Sequence, residues 1–273
     1  MSEYIHPYNP IRKVPLDYKG IESKAFSVQT EEVKDGIPAY EEVGVVKANY
    51  LLIPNAEVKD LVNSLVNQTG WDWEVQREWT DRKRYVYTLM AKDKTKTLDV
   101  GDTIGLGLNA WNSYDGSVAF NLRFLAFRLE CLNGMVSNDV FHSFKFRHDK
   151  SSEGYDQEII QAGQMFNKAD EKLGVFVDSC NKLLTSVNTE DLALIRKKYL
   201  PNMPTNTFGK IMDEFLIQDE YKTTAWDLTN AATRVLWHNE KPTITDYKQN
   251  QYVVDQMFQY AHDNSMSKEY ASA

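Results

Sequence analysis

Residues 117–130 read SVAFNLRFLAFRLE, which is the longest β-like stretch of the chain. Phenylalanine and leucine recur there without glycine or proline, a composition typical of a strand. Three further stretches, 71–77, 84–91 and 97–108, alternate in hydrophobicity or are β-rich. The middle third of the chain is therefore predicted to be a largely antiparallel sheet.

Helices are predicted on both sides of this sheet in the sequence. Residues 55–69 carry apolar side chains at three- and four-residue steps, and Gly70 supplies a helix stop. From residue 159 to residue 187 the same steps continue as a heptad seam. The seam residues are Ile159, Ala162, Phe166, Ala169, Leu173, Phe176, Cys180, Leu183 and Val187.

A heptad seam favours a long helix that packs lengthwise on another helix, either of the same chain or of a second copy. Packing within the chain is the preferred interpretation because alanine and cysteine are weak dimer-zipper residues. A homo-oligomer formed through the 159–187 helix is the alternative.

The fold class follows from this order of elements. We predict an α+β protein, with a twisted, mostly antiparallel sheet and a packed helix, followed by a C-terminal helical part. The predicted division is an extended N-terminal arm over 1–38, where prolines recur, an α+β sheet domain over 39–150, and a helical region over 151–273 packed on that domain.

Composition narrows the classes of function. Of the 273 residues 42% are hydrophobic and 26% charged, as in globular proteins, and the net charge is −8. Whole-protein attraction to nucleic acid is therefore not supported, and a polyanion must meet a local patch. When the net charges of residues 1–70, 71–150 and 151–273 are compared, only that of 71–150 is positive, with twelve basic and eleven acidic side chains.

The two cysteines, Cys131 and Cys180, form neither a disulfide framework nor a zinc-ligand set. No secretory signal begins the sequence, and charged groups interrupt every apolar run before about 18 residues. We expect a cytoplasmic protein without a membrane partner, a metal or a cofactor.

The clearest local motif is the run from Asn112 to Ser117, NSYDGS, between two β-like stretches. Asp-Gly accepts the positive φ of a tight turn, so a turn is the preferred interpretation. The same short polar groups and backbone amides can instead bind a phosphate or a metal-bound water.

Aromatic and basic residues alternate through the predicted sheet. Flat rings beside cations are typical of single-strand binding proteins, because rings stack on bases and cations neutralise phosphates. The alternative is that the rings are core residues and nearby carboxylates dilute the positive charge. The candidate nucleic-acid-binding residues are Trp71, Trp73, Arg77, Trp79, Arg82, Lys83, Arg84, Tyr85, Tyr87, Arg123, Arg128, Lys145 and Arg147.

No standard catalytic signature is present, and the glycines of 101–107 fit neither a P-loop nor a dinucleotide fingerprint. A hydrolytic site remains an alternative if five polar side chains converge in one pocket. These are Asn112, Asp115, Arg128, His142 and His148.

Several ordered motifs resemble the phage/plasmid-like proteins of the DUF932 family, a domain of unknown function. Besides the NSYDGS run, they are RLECLNGM over 128–135, Arg147-His148, and TAWDLTNAAT over 224–233 followed by His238. Tyr114 departs from the histidine that is usual in the family. The family-motif residues are Asn112, Ser113, Asp115, Gly116, Ser117, Arg128, Cys131, Asn133, Gly134, His148, Trp226, Asn230, Thr233 and His238.

The resemblance implies a protein carried by phages, prophages or plasmids. Together with the aromatic and basic stretch, it leads us to expect a non-catalytic accessory protein that binds or anneals single-stranded DNA in recombination or replication. A phage protein-interaction or assembly factor, such as a host-enzyme inhibitor or an oligomeric scaffold, is the alternative, and an unrecognised hydrolase is the third reading.

Overall fold

The structure is a computed structural model that describes residues 6–18, 21–34, 37–137, 139–141, 143–148, 155–217, 223–238 and 243–272. The chain divides into two compact units. Unit 1 comprises Met1–Ala91, Leu108–Arg123 and Ser143–Asn167, and unit 2 comprises Lys92–Gly107, Phe124–His142 and Lys168–Ala273. The predicted division of the chain at residues 38 and 150 stays a prediction.

Unit 1 contains a three-stranded antiparallel sheet in the order β1 (Ile11–Tyr18), β2 (Ile21–Lys34), β3 (Ile37–Lys47). The first two strands lie in the segment whose prolines predict an arm. Pro15 lies in β1 next to a shift in register, and β1 is an edge strand. Proline lacks an N–H and is tolerated at such a position, so it does not prevent pairing.

The second sheet has six strands within the described residues: β4 (Trp73–Thr80), β5 (Arg84–Thr97), β6 (Thr103–Ser113), β7 (Phe120–Arg128), β8 (Asn133–Met135) and β9 (Ser143–Phe146). Their order is β4-β5-β6-β7-β8, and β9 pairs antiparallel with the first half of β7. Strands β5, β6 and β7 contribute residues to both units. The predicted α+β class is confirmed.

Strand β7 lies within the 117–130 stretch, and all nine of its residues are buried. A strand covered on both faces favours apolar residues at consecutive positions, as residues 124–127 show, whereas Asn121 and Arg123 are buried polar residues in the first half of the strand. The sequence of this stretch is therefore suited to a strand with neighbours on both sides.

Helix α1 (Asn55–Asn67) belongs to unit 1 and confirms the predicted helix, ending two residues earlier. Its face of Val58, Val62 and Leu65 is buried, as the three- and four-residue steps predict. The helix begins directly after Pro54, which favours an extended conformation for the preceding chain.

The remaining helices are α2 (Tyr155–Asn181), α3 (Thr189–Leu194), a π-helical turn (Ile195–Tyr199), α4 (Thr205–Ile217), α5 (Ala225–Trp237) and α6 (Ile244–Ser272). Helix α5 begins with a capping box, in which the Thr224 and Asp227 side chains each bond the backbone N–H of the other residue. None of the helices in the described part of the chain combines the length and apolar character that a membrane crossing requires.

The heptad seam is covered within one chain where its side chains are described. Phe166, Ala169, Leu173, Phe176, Cys180, Leu183 and Val187 are all at most 7% exposed. The side chains of Ile159 and Ala162 lie outside the described residues. Helix α2 ends at Asn181, so Leu183 and Val187 lie beyond it and the predicted extension of the helix to residue 187 is wrong. The burial of the seam favours the predicted packing within the chain, and nothing in the described residues supports a zipper between two copies.

Strand β8 is held in unit 2 by close contacts with α5 and α6. The Asn250 side chain accepts from the Val136 N–H (3.1 Å) and donates to the Gly134 carbonyl (2.9 Å). A Cβ on Gly134 would lie 2.6 Å from ring atoms of Trp237. The indole itself packs edge-on against Phe127, with ring centroids 5.6 Å apart. Glycine at position 134 is thus what lets the strand approach the indole.

Replacing this glycine tests the contact. Gly134→Ala is expected to lower the free energy of unfolding by about 1–3 kcal/mol, because the buried indole must move to admit a methyl group. Gly163→Ala in α2 is the matched control. It has open space around the new Cβ and is expected to be neutral or to stabilise by up to about 1 kcal/mol. Urea unfolding of both variants measures the difference, and equal effects would contradict the tight contact.

Candidate functional site

A pocket of about 460 Å³ opens on unit 1, where the end of β3, the loop between β6 and β7, and the residues after β9 come together. It combines two basic side chains, one carboxylate, two aromatic rings and an apolar wall. The lining residues are Val45, Val46, Lys47, Asn49, Tyr50, Asp115, Gly116, Val118, Ala119, Arg147 and His148.

The NSYDGS motif forms the turn that the sequence predicts. Strand β6 ends at Ser113, and Gly116 has φ +73°, in the left-handed region that favours glycine. The Ser117 N–H donates to Asp115 Oδ1 (2.9 Å), and the Val118 N–H donates to Ser113 Oγ (3.1 Å). These two amides are engaged within the turn and are not available to a phosphate, and the phosphate-binding alternative stays a prediction.

Two buried residues of the turn attach it to the segment between β3 and α1. The Asn112 amide donates to the Ile53 carbonyl (2.9 Å) and to the side chain of Asn55 (3.0 Å). The Asn55 N–H, at the start of α1, donates to the Tyr114 hydroxyl (2.8 Å). Burial raises the pKa of Tyr114, so the phenol stays neutral. Tyrosine at this position therefore anchors a helix start instead of supplying an imidazole.

Tyr50 and His148 form a stacked pair at the pocket. Their ring centroids are 4.7 Å apart with an interplanar angle of 13°. The Tyr50 hydroxyl donates to the Ser113 carbonyl (2.7 Å), and burial raises the pKa of Tyr50 to about 12. The stacked rings are therefore fixed to the same turn as Asp115.

The protonation state of His148 follows from its partner. Its Nδ1 lies 2.9 Å from the Leu51 carbonyl, which can only accept, so Nδ1 carries the proton. Nε2 is buried and has no hydrogen-bond partner within the described residues. Burial lowers the pKa of His148, which keeps the imidazole neutral at pH 7.

Lys47 and Arg147 are the two cations of the pocket. Both side chains are exposed, and neither makes a salt bridge within the part of the chain that the structure describes. Lys145 is exposed on β9, two residues before Arg147, while Phe146 between them is buried against Phe120. This arrangement matches the basic side of the amphipathic edge strand that the alternation predicts.

Two of the predicted stacking residues are not accessible. Tyr85 is 0% and Tyr87 is 2% exposed, and their rings stack on each other with centroids 6.3 Å apart. Their burial gives no support to the prediction that they stack on bases, because β5 is covered on both faces over residues 85–91.

The tryptophans of this region are half-buried. Trp71 and Trp73 stack with centroids 5.9 Å apart, and Phe166 meets both rings edge-on. Trp79 has the guanidinium of Arg84 over its ring at 6.0 Å. These contacts give the indoles a packing role in unit 1, and their contact with DNA stays a prediction.

Most predicted phosphate-binding arginines already have carboxylate or amide partners. Arg82 pairs with Glu32 and Glu41, and Arg84 pairs with Asp81. Arg123 is 8% exposed and donates to Asn121 (3.0 Å). Arg77 is half-buried, and burial lowers its pKa. Lys83 is exposed. The described cations of this stretch thus do not form one basic patch on unit 1.

Unit 2 contains a second polar cluster, built around Arg128. Its guanidinium donates twice to Asp102, from Nε (3.0 Å) and Nη2 (2.9 Å), and it also pairs with Glu130. The Trp226 indole N–H donates to the same Asp102 carboxylate (2.7 Å). Arg128 is 9% exposed and its charge is neutralised, so it holds structure and is a poor phosphate ligand.

The other family-motif residues of unit 2 join this region. His238 Nε2 lies 3.1 Å from the Cys131 carbonyl and 2.7 Å from Asn133 Oδ1. The Asn133 amide and the Thr233 hydroxyl both donate to the Asn230 carbonyl. The RLECLNGM and TAWDLTNAAT motifs therefore meet through hydrogen bonds that tie β8 to α5.

Of the five residues of the alternative hydrolytic site, two are found together in one pocket, and the convergence of all five stays a prediction. Asp115 and His148 line the pocket of unit 1, but the Asn112 amide is used by buried backbone and side-chain acceptors. Arg128 belongs to unit 2, and His142 lies outside the described residues. No group of three metal-ligating side chains occurs among the residues that were described.

Lys47 and Tyr50 are among the pocket residues that the sequence pattern does not single out. They follow a β-rich stretch, and nothing in the local pattern distinguishes them from other residues at a strand end. Only the long-range pairing of β3 and the docking of the 112–117 turn bring them together with Arg147.

The Arg128 cluster predicts a stability effect. Asp102→Ala is expected to lower the free energy of unfolding by about 3 kcal/mol, because it leaves a buried guanidinium without its main partner. Asp170→Ala is the control, since its side chain is 60% exposed and its salt bridge with Lys96 is 3.5 Å long. It should cost less than about 0.5 kcal/mol. Denaturant titration of both variants measures the loss of unfolding free energy. Similar losses would contradict the role of Asp102 as the main partner of Arg128.

His148 predicts a dependence of stability on pH. Its folded-state pKa is below the ordinary value of 6.5, so below pH 6.5 the unfolded state binds a proton that the folded state refuses. Stability is therefore expected to fall with acidification by up to about 1.4 kcal/mol per pH unit. His148→Asn, whose amide can donate to the Leu51 carbonyl, should reduce this loss. An identical pH profile of unfolding for both proteins would contradict the burial of a neutral imidazole.

Comparison with known proteins identifies the family. No curated protein and no solved structure matches the chain. The family model described as a domain of unknown function (DUF932) matches residues 42–263. This span contains both the pocket turn of unit 1 and the Arg128 cluster of unit 2. The chain therefore belongs to the DUF932 family.

Proposed function

We propose that this protein binds single-stranded DNA without catalysis, and that the pocket of unit 1 is the contact site. The observation that supports the proposal is the pair of exposed cations, Lys47 and Arg147, at the rim of a pocket that also presents aromatic rings. Cations neutralise phosphates, and rings or apolar walls receive bases.

The absence of a salt bridge among the described residues distinguishes Lys47 and Arg147 from most of the arginines that the sequence singles out. Arg82, Arg84 and Arg128 are held by carboxylates and would have to exchange those partners for phosphates. Lys47 and Arg147 make no such pairs in the described part of the chain. Lys145 lies on the same side of β9 and extends the basic edge.

The volume and the apolar lining of the pocket agree with a nucleotide unit as ligand. Its volume of about 460 Å³ lies in the range of small-molecule sites, about 300–1,000 Å³. Val45, Val46 and Val118 supply an apolar wall for a base. The contact site thus differs from the strand residues around Trp71–Tyr87 that the sequence predicts.

We further propose that the protein serves recombination or replication of a phage or plasmid in the cytoplasm of a bacterial host. The resemblance to phage/plasmid-like proteins supports this setting. A local basic pocket on an acidic protein also supports contact with a short part of a single strand. A net charge of −8 disfavours binding along the whole length of a polyanion.

The test is fluorescence anisotropy with a labelled oligothymidylate. The wild-type protein is expected to bind at low salt, and Lys47→Ala/Arg147→Ala should weaken binding by at least about tenfold. The slope of log affinity against log salt should become shallower by about 1.4, because each lost phosphate contact in single strands removes about 0.7.

The matched control is Lys210→Ala/Lys248→Ala, which removes two exposed lysines from α4 and α6 of unit 2. It keeps the same change in net charge and should leave affinity and slope close to the wild-type values. Absence of binding by wild-type protein at micromolar concentration, or equal loss in both double variants, would refute the pocket as the DNA site.

A further inference from the structure

One carboxylate, that of Asp115, lies in the pocket beside the two cations. A carboxylate repels phosphate, so it weakens any contact that depends on the DNA backbone alone. If the ligand group instead donates hydrogen bonds, the carboxylate attracts it and strengthens binding. Asp115 therefore bears on which base enters the pocket.

The carboxylate is held in position before any ligand arrives. Its Oδ1 accepts from the Ser117 N–H (2.9 Å) within the turn. The backbone of Asp115 also packs closely on β3, because a Cβ on Gly44 would lie 2.6 Å from the Asp115 Cα. With the turn anchored by Asn112 and Tyr114, this carboxylate is preorganised.

Most of the acceptor capacity of Asp115 is available to a ligand. An ionised carboxylate has about four lone-pair sites, and the Ser117 N–H takes one. Asp115 makes no salt bridge within the described part of the chain, although Lys47 and Arg147 line the same pocket. The remaining sites can accept from two neighbouring donors at once.

We infer that Asp115 makes the pocket select guanine, which rests on the proposed binding of single-stranded DNA. The Watson–Crick edge of guanine presents two adjacent donors, the ring N1–H and the N2 amino group. Adenine and cytosine present one amino group beside an acceptor nitrogen. The N3–H of thymine lies between two carbonyl oxygens, which the carboxylate repels. Base edges of single strands are commonly read by such hydrogen bonds.

The experiment compares an oligothymidylate with the same oligonucleotide carrying one central guanine, by fluorescence anisotropy at fixed salt. The wild-type protein is expected to bind the guanine-containing strand at least about fivefold more tightly. Strands with a central adenine or cytosine should fall between the two. Equal affinity for all four strands would overturn the inference and leave the proposed DNA binding in place.

Asp115→Asn separates recognition from the structure of the turn. Asparagine keeps an oxygen for the Ser117 N–H but replaces the other oxygen with an NH₂ donor. The guanine preference should disappear, and thymine carbonyls should be favoured instead. A guanine preference retained in this variant would overturn the inference, because Asp115 would then serve the turn alone.

Two further variants complete the design. Ser117→Ala keeps the backbone N–H and should retain the guanine preference, whereas Asp115→Glu moves the carboxylate and should reduce it. Thermal unfolding of each variant shows whether the turn is intact. If the wild-type protein binds none of the strands, the proposed function fails and the inference fails with it.

Discussion

Hydrogen bonds between the Asn112–Ser117 turn and the segment joining β3 to α1 are the constraint on which the pocket depends. The Asn112 side-chain amide donates to the Ile53 carbonyl, and the Tyr114 hydroxyl accepts from the first backbone N–H of α1. The Tyr50 hydroxyl donates to the Ser113 carbonyl. Buried donors and acceptors are costly to leave unpaired. These bonds therefore favour a single position of the turn relative to the segment that joins β3 to α1. That docking places Asp115 and Gly116 beside Lys47.

The same side-chain type has opposite roles in the two units because its burial differs. Arg128 is nearly buried and is neutralised by Asp102 and Glu130, which makes it part of the framework of unit 2. Arg147 is exposed and makes no salt bridge within the described residues, so its charge is available to a ligand. A protein with net charge −8 can therefore keep a cationic pocket without being basic as a whole.

The family motifs likewise divide into two functional kinds. In unit 2 they connect β8 with α5 through Asn133, Asn230 and His238, and this is a packing role. In unit 1 they build a turn and a stacked pair around an open pocket. The match to the DUF932 family covers both sets of residues, and the chemistry of the pocket is what supports the proposed binding function.

The sequence by itself determined the α+β class, helix α1, the buried seam of α2 and the turn at Gly116, because hydrophobic period and turn chemistry are properties of neighbouring residues. Tertiary structure alone decided that Tyr85 and Tyr87 are buried, that Arg82 meets Glu41, and that Lys47 joins Arg147 at one pocket. Those outcomes depend on which distant strands pair and which faces are covered. No local pattern encodes them, because alternation along a strand predicts two faces but not what lies on each.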